Sequence, residues 1–263
     1  MALLELFVAA VVPCLALLWF ITKKDRYEKE PFRMLLITYI LGAFSIVPAV
    51  ILELALSNLV AKPADPLSDI PKIVIYNLIV IAIVEESCKL LATFPAYRSI
   101  AFNEPLDGVV YAATASLGFA TVENILYVLS GGWLVALLRA ALSVPGHAFF
   151  GATMGFYLGQ SKFNREVKLR LYCLVVPIIL HTIYNVIVSI GLGLVSLLLA
   201  GLFILVLYRR VRRQIGIALT ISPFRLSQNN FCLQCGARFS PNWNYCASCG
   251  SERFFNSPDQ LTR

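Results

Sequence analysis

Apolar runs too long for a soluble core recur along this chain, at about residues 3–22, 34–60, 71–95, 106–129, 133–159, 170–189 and 192–208. A hydrocarbon layer roughly 30 Å thick is crossed by about 20 helical residues, and within lipid only a helix or a closed barrel satisfies its own backbone. The runs therefore specify an all-α polytopic membrane protein with about seven transmembrane helices. Composition agrees: 59% of residues are hydrophobic, 14% are charged and the mean hydropathy is +0.76, where soluble domains carry about 25% charged residues. The last division rests on "IVSIGLGLVSL", whose Gly191 and Gly193 are its turn signals. Without a turn there, a helix from Leu171 to Tyr208 would run about 57 Å, longer than a bilayer is thick.

Lys and Arg between the runs give the expected orientation. "KKDRYEKEPFR" holds five basic residues, "KFNREVKLR" holds four and "YRRVRR" holds four, whereas "SGGW" and the glycine turn hold none. The alternation places those basic segments in the cytoplasm, with the N-terminus outside and the C-terminus inside. The +7 net charge is then a topology signal, and nucleic acid is not an expected partner because these charges flank spans instead of forming one patch. The first run is expected to be a retained helix and not a cleaved signal, since "MALLE" has no basic residue and the positive cluster follows the apolar run.

Residues 1–210 thus form the expected membrane domain, 211–230 a basic juxtamembrane linker, 231–251 a small module and 252–263 a tail. The module, "FCLQCGARFSPNWNYCASCG", carries Cys232, Cys235, Cys246 and Cys249 in two CxxCG knuckles. Four thiolates so arranged converge on one zinc, and a complete thiolate set leaves no open position, so this metal is expected to be structural. The module resembles a zinc ribbon and is a candidate for recruiting a cytoplasmic partner. Cys14, Cys88 and Cys173 lie singly within apolar runs and are read as small core residues.

Ionisable side chains inside spans are costly, which makes each a functional candidate. "IAIVEESCKLLATF" places Glu85, Glu86 and Lys89 in the third run; Asp107 and Glu123 follow in the fourth, Arg139 and His147 in the fifth and His181 in the sixth. Both histidines of the chain and three glutamates fall at overlapping depth, which favours one shared site. Glu85 and Lys89 are one helical turn apart and can neutralise each other, while Glu86, about 100° away, is expected to point elsewhere. His181 and Asn185 share a face, as do Phe119 and Glu123, with Asn124 alongside. Gly151, Gly155 and Gly159, spaced by four, form a small-residue packing stripe, expected to bring the fifth and sixth spans together.

At these residues the chain resembles the PrsW family of intramembrane proteases, and more distantly the type II CAAX prenyl endopeptidases. "EESCK" is similar to an EExxK motif, "FATVEN" to FxxxEN, "PGHAFFG" to a histidine motif and "HTIYN" to HxxxD/N, in that order along residues 70–190. The resemblance implies hydrolysis of a peptide bond in a membrane-associated protein, an anti-sigma factor by analogy. Asn185 stands where some members have aspartate, which suits a hydrogen-bonding role more than metal ligation.

Peptide hydrolysis needs an activated water, a base and positive charge near the oxyanion. The expected assignment makes Glu85 or Glu86 the base, gives His147, His181 and Glu123 to zinc or another divalent metal, sets Lys89 against the carboxylate charge and lets Asn185 orient water or carbonyl. A metal-free version with glutamate and histidines polarising the water is open on the same residues. A transporter or proton relay built on the intramembrane Glu, His and Lys cluster, and a noncatalytic scaffold, are the competing classes. The orientation is checked by labelling: in Asn164→Cys, the new thiol should resist a membrane-impermeant reagent in intact cells and react after lysis.

Overall fold

The computed structural model describes residues 2–60, 69–164 and 166–225, and in the C-terminal part residues 232, 234, 235, 237 and 245–251. The rest of the expected 231–251 module and the 252–263 tail lie outside the described residues. Helices account for nearly all of the described membrane portion: α1 (Ala2–Thr22), α2 (Phe32–Phe44), α3 (Ile46–Ser57), α4 (Ile70–Tyr76), α5 (Ile83–Arg98), α6 (Pro105–Leu138), α7 (Val144–Asn164), α8 (Val167–Ser189) and α9 (Leu194–Thr220). Among the described residues, five stretches can cross a membrane by length and apolar composition: Leu3–Thr22, Phe32–Ser57, Pro105–Asn164, Val167–Ser189 and Leu194–Thr220. The expected count of seven is not reached by that measure, for two local reasons. Pro105–Asn164 is a single stretch of 60 residues that changes direction inside itself, and the α4–α5 path carries Glu85, Glu86 and Lys89.

Local sequence accounts for the breaks. Pro48 has no N–H to offer the Phe44 carbonyl, so the second run divides at Ser45, whose hydroxyl turns back to Gly42 O at 2.7 Å. Asp69 opens α4 by accepting from Lys72 N at 3.3 Å. Between α4 and α5 residues Asn77–Ala82 form a π-helical segment, with Asn77 Nδ2 donating to Ile73 O at 2.9 Å. One such segment shifts the face of everything after it, here Glu85 onward. Gly191 and Gly193 take φ of +69° and +59° between α8 and α9, a backbone region that glycine enters without strain. Helix α9 runs on to Thr220, so the first part of the expected 211–230 linker is helical. "YRRVRRQ" is rich in good helix formers, and Pro223 is the first residue that stops it.

The central feature is the hairpin of α6 and α7. Gly132, at φ +70° and ψ −160°, folds the long stretch back on itself. The pairs Gly108 with Gly155, Ala112 with Gly151 and Ser116 with His147 are all centred on Gly131–Gly132, as an antiparallel hairpin requires. A Cβ on Gly155 would run into the Gly108 carbonyl, one on Gly159 into the Pro105 carbonyl, and one on Gly151 would stand 2.6 Å from Ser116 Cβ. The small-residue stripe therefore seats α7 on α6, the fourth span, and not on the sixth as expected. The sixth packs on another face of α7, through Phe150. Such backbone contact explains why the first half of α6 is enclosed on all sides, with every residue from Pro105 to Thr121 buried. Helix α1 covers a further face of α6 with Ala10 and Cys14, both 0% exposed and one turn apart, while its other faces turn apolar side chains outward, as lipid requires.

At the cytoplasmic end proposed from the charges, Tyr111 OH donates to Glu30, Asp107 Oδ2 accepts from the Asn103 and Glu104 amides at 2.6 and 2.7 Å, and Lys162 donates to the Tyr97 and Phe102 carbonyls at 2.7 and 2.9 Å. These bonds tie the α1–α2 and α5–α6 connections to the hairpin. Replacing Gly155→Leu should lower thermal stability in detergent by several kcal/mol, since backbone must move to admit the side chain and overpacking alone costs about 1–3 kcal/mol. Gly201→Ala, where a Cβ meets nothing within 4 Å, should be neutral or stabilising by up to about 1 kcal/mol.

Candidate active site

Lys89 organises the α5 end of the site. Its ammonium is 0% exposed and spends all three donors: Glu85 Oε2 and Glu86 Oε1 at 2.8 Å each, and His147 Nδ1 at 3.1 Å. Glu86 therefore does not point away from Glu85 and Lys89 as the helical wheel suggested. The four methylenes of lysine reach positions three and four residues back at once, which draws the two carboxylates together. Phe119, one turn before Glu123, lies with its ring face 4.4 Å from the ammonium.

The same contacts set the imidazole protons. Lysine can only donate, so His147 Nδ1 accepts and its proton sits on Nε2, which lies 2.8 Å from Glu123 Oε2. His181 Nδ1 lies 2.9 Å from Glu86 Oε1, an acceptor, so its proton is on Nδ1 and the Nε2 lone pair is left for another partner. The two rings stand 5.6 Å apart between centroids at 75°, and His181 stacks on Phe150 at 5.0 Å. Thus α5, α6, α7 and α8 each bring a motif residue to one place.

These groups line a cavity of about 670 Å³. Glu85, Glu123, His147, His181 and Asn185 are on its wall, while Glu86, at 0% exposure, stands behind His181 and keeps Oε2 without a hydrogen-bond partner. Asn185 makes no hydrogen bond to either imidazole. The remaining wall is mainly aliphatic and aromatic, with Ile46, Val50, Ile73 and Leu126 among its members. The wall also includes Glu53 of α3 and Arg139, from the π-helical segment Arg139–Ser143. Glu53 belongs to no motif and so escaped the sequence reading, though a single carboxylate in the apolar run of residues 34–60 was the available signal.

Metal-competent groups sort into two trios, Glu85 with Glu86 and His181, and Glu85 with Glu123 and His147, each with ligand atoms within 4.8 Å of one another. Glu85 is common to both. The expected ligand set of His147, His181 and Glu123 is divided between the trios, since the histidines approach different carboxylates. Both trios offer imidazole nitrogen and carboxylate oxygen, donors suited to a divalent cation. Carboxylates crowd the site: Glu53, Glu85, Glu86 and Glu123 stand in or just behind its wall, against the two cationic side chains Lys89 and Arg139.

In the C-terminal part the Cys232, Cys235, Cys246 and Cys249 sulfurs also lie within 4.8 Å of one another, with 3.5 Å for Cys232–Cys249 and for Cys235–Cys246. They form no disulfide. Sulfur ligands 2.3 Å from a tetrahedral ion stand about 3.8 Å apart, so the cluster fits one metal. Cys246 N donates to Ser251 O at 2.8 Å, and Gly250, at φ +71°, makes the turn of the second knuckle.

A family model described as PrsW family intramembrane metalloprotease matches residues 30–209. Protease PrsW of Geobacillus kaustophilus is 39% identical over 188 residues, covering 69% of this chain and 78% of that protein. Protease PrsW of Oceanobacillus iheyensis is 36% identical over 217 residues, covering 80% and 96%, and that of Bacillus subtilis is 35% identical over 185 residues, covering 69% and 81%. No solved structure matches. The matched range contains the cavity and ends before the cysteine cluster. Cys232→Ser should accordingly release one bound metal ion per chain, expected to be zinc and counted by elemental mass spectrometry, while the melting of the membrane portion stays unchanged.

Proposed function

Because the chain belongs to the PrsW family of intramembrane metalloproteases, we propose that it hydrolyses a peptide bond of a membrane-associated protein with water activated by Glu85. The observation that carries this choice of base is position: Glu85 lies on the cavity wall and in both trios, whereas Glu86 is enclosed behind His181. Glu85 takes a proton from water as the water oxygen bonds to the scissile carbonyl carbon. It returns that proton to the nitrogen as the C–N bond breaks. Lys89 orients Glu85, donating to its Oε2 at 2.8 Å. Glu86 fixes the His181 tautomer, so that Nε2 offers its lone pair to the water. The Asn185 amide, one turn along α8 on the same wall, donates to the carbonyl oxygen as negative charge builds there.

A divalent cation fits the donor set, held by Glu123 with His147, whose Nε2 proton it would displace, or by Glu86 with His181, with Glu85 alongside as the base, and when bound it would polarise the carbonyl and acidify the water. The carboxylates gathered there support its presence. The aliphatic wall suits an extended apolar segment, as expected of a substrate drawn from the bilayer; an anti-sigma factor is the substrate the family resemblance implies. We place the N-terminus outside and the C-terminus in the cytoplasm on the distribution of Lys and Arg. Every relative named above is a protease, which favours hydrolysis over transport.

Glu85→Gln keeps the side-chain shape and leaves Lys89 paired with Glu86. Cleavage of a membrane substrate should fall by about 10²-fold or more with protein amount unchanged. Undiminished cleavage in that variant would remove Glu85 as the base.

A further inference from the structure

The FxxxEN and histidine motifs leave two things unexplained: why asparagine follows Glu123, and why an arginine sits within a span eight residues before His147. The structure answers both with one contact set. Arg139 Nε donates to Asn124 Oδ1 at 2.6 Å, its Nη2 lies 3.0 Å from Glu123 Oε2, and its guanidinium lies 4.3 Å from the centre of the Tyr127 ring. Asn124 is itself fastened, donating Nδ2 to Ala10 O of α1 at 2.8 Å. Arg139 begins the π-helical segment that leads into α7, and its side chain is 14% exposed at the cavity wall.

Glu123 Oε2 is thus approached by His147 Nε2 at 2.8 Å and by Arg139 Nη2 at 3.0 Å. A carboxylate in a low-dielectric wall keeps its charge only beside a cation, and a neutral imidazole is not one. Lys89 fills that need for Glu85 and Glu86, with all three of its donors engaged. We propose that Arg139 is the positioning residue of the Glu123–His147 half of the site: it supplies the fixed counter-charge that holds the Glu123 carboxylate in place against His147 Nε2, with Asn124 as its anchor. Asparagine suits that place because its carbonyl receives the guanidinium while its amide grips α1; aspartate could not donate to Ala10 O. The π-helical segment displaces the chain so that Arg139 and His147, eight residues and about two turns apart, reach the same oxygen.

The inference rests on the hydrolytic reading, so its test separates the two. Cleavage kinetics are measured on purified full-length protein in detergent for Arg139→Gln, Arg139→Lys, Glu123→Gln and the double variant, each checked by size-exclusion chromatography and melting. Arg139→Gln retains a polar side chain near Asn124 but removes the charge; kcat should fall 10-fold or more with KM within about threefold. Arg139→Lys restores a cation and should recover most of that loss. In the double variant Arg139→Gln/Glu123→Gln no unpaired charge remains, and its kcat should match that of Glu123→Gln alone, because Arg139 acts through Glu123. Equal loss in Arg139→Lys and Arg139→Gln, a change confined to KM, or multiplicative losses in the double variant would overturn the proposal. Full activity in Glu123→Gln would instead overturn the role of this half of the site.

Discussion

A buried ammonium constrains this molecule more than any other single group. Lys89 is 0% exposed in a chain whose solvent is lipid, where an unpaired charge has no water to fall back on. Its three hydrogens are directed at three acceptors on two helices, Glu85 and Glu86 of α5 and His147 of α7. Because the ammonium cannot accept, it decides which nitrogen of His147 carries the proton, and because it holds Glu86, that carboxylate is in place to orient His181. Removing both carboxylates would strand the charge at a cost of about 3–5 kcal/mol or more, so the arrangement holds the helices in register as well as the chemistry.

That network is possible only because the helices meet at the right height. The α6–α7 hairpin, turned at Gly132 and brought into backbone contact by Gly108, Gly151, Gly155 and Gly159, brings the Glu123 carboxylate within reach of the His147 ring. Two π-helical segments, Asn77–Ala82 before Glu85 and Arg139–Ser143 before His147, each shift the following face. In lipid there is little hydrophobic drive between helices, so close packing and hydrogen bonds across helices carry the assembly. Ser116 to the His147 carbonyl and Asn124 to the Ala10 carbonyl are of this kind.

The cavity joins two unlike environments. Ile46, Val50, Ile73 and Leu126 give its wall an apolar part, while Glu53, Glu85, Glu123 and Arg139 give it a polar one, with Glu86 and Lys89 behind. Each cation is held by named partners, Lys89 by Glu85 and Glu86 and Arg139 by Glu123 and Asn124. The remaining carboxylate oxygens are what a divalent cation, or a positively charged group arriving with substrate, would pair with. The cysteine cluster after α9 is a separate piece of chemistry, closed by four sulfurs and outside the family match.

The sequence by itself determined the membrane class, the helical content, the four motif-bearing spans and the cysteine cluster, since lipid admits few backbone solutions and CxxC spacing admits few metals. It also carried the turn at Gly191 and Gly193, because positive φ is written in residue type. Only the tertiary structure decided that Lys89 takes both carboxylates, that His147 and His181 face different ones, that Glu53 and Arg139 belong to the cavity wall, and that the glycine stripe faces α6. A helical wheel gives the direction in which a side chain leaves the backbone and not where four flexible methylenes end, and it loses its phase at each π-helical segment. Which oxygen meets which nitrogen depends on the depth and rotation of neighbouring helices, quantities set jointly by many contacts distant in the chain.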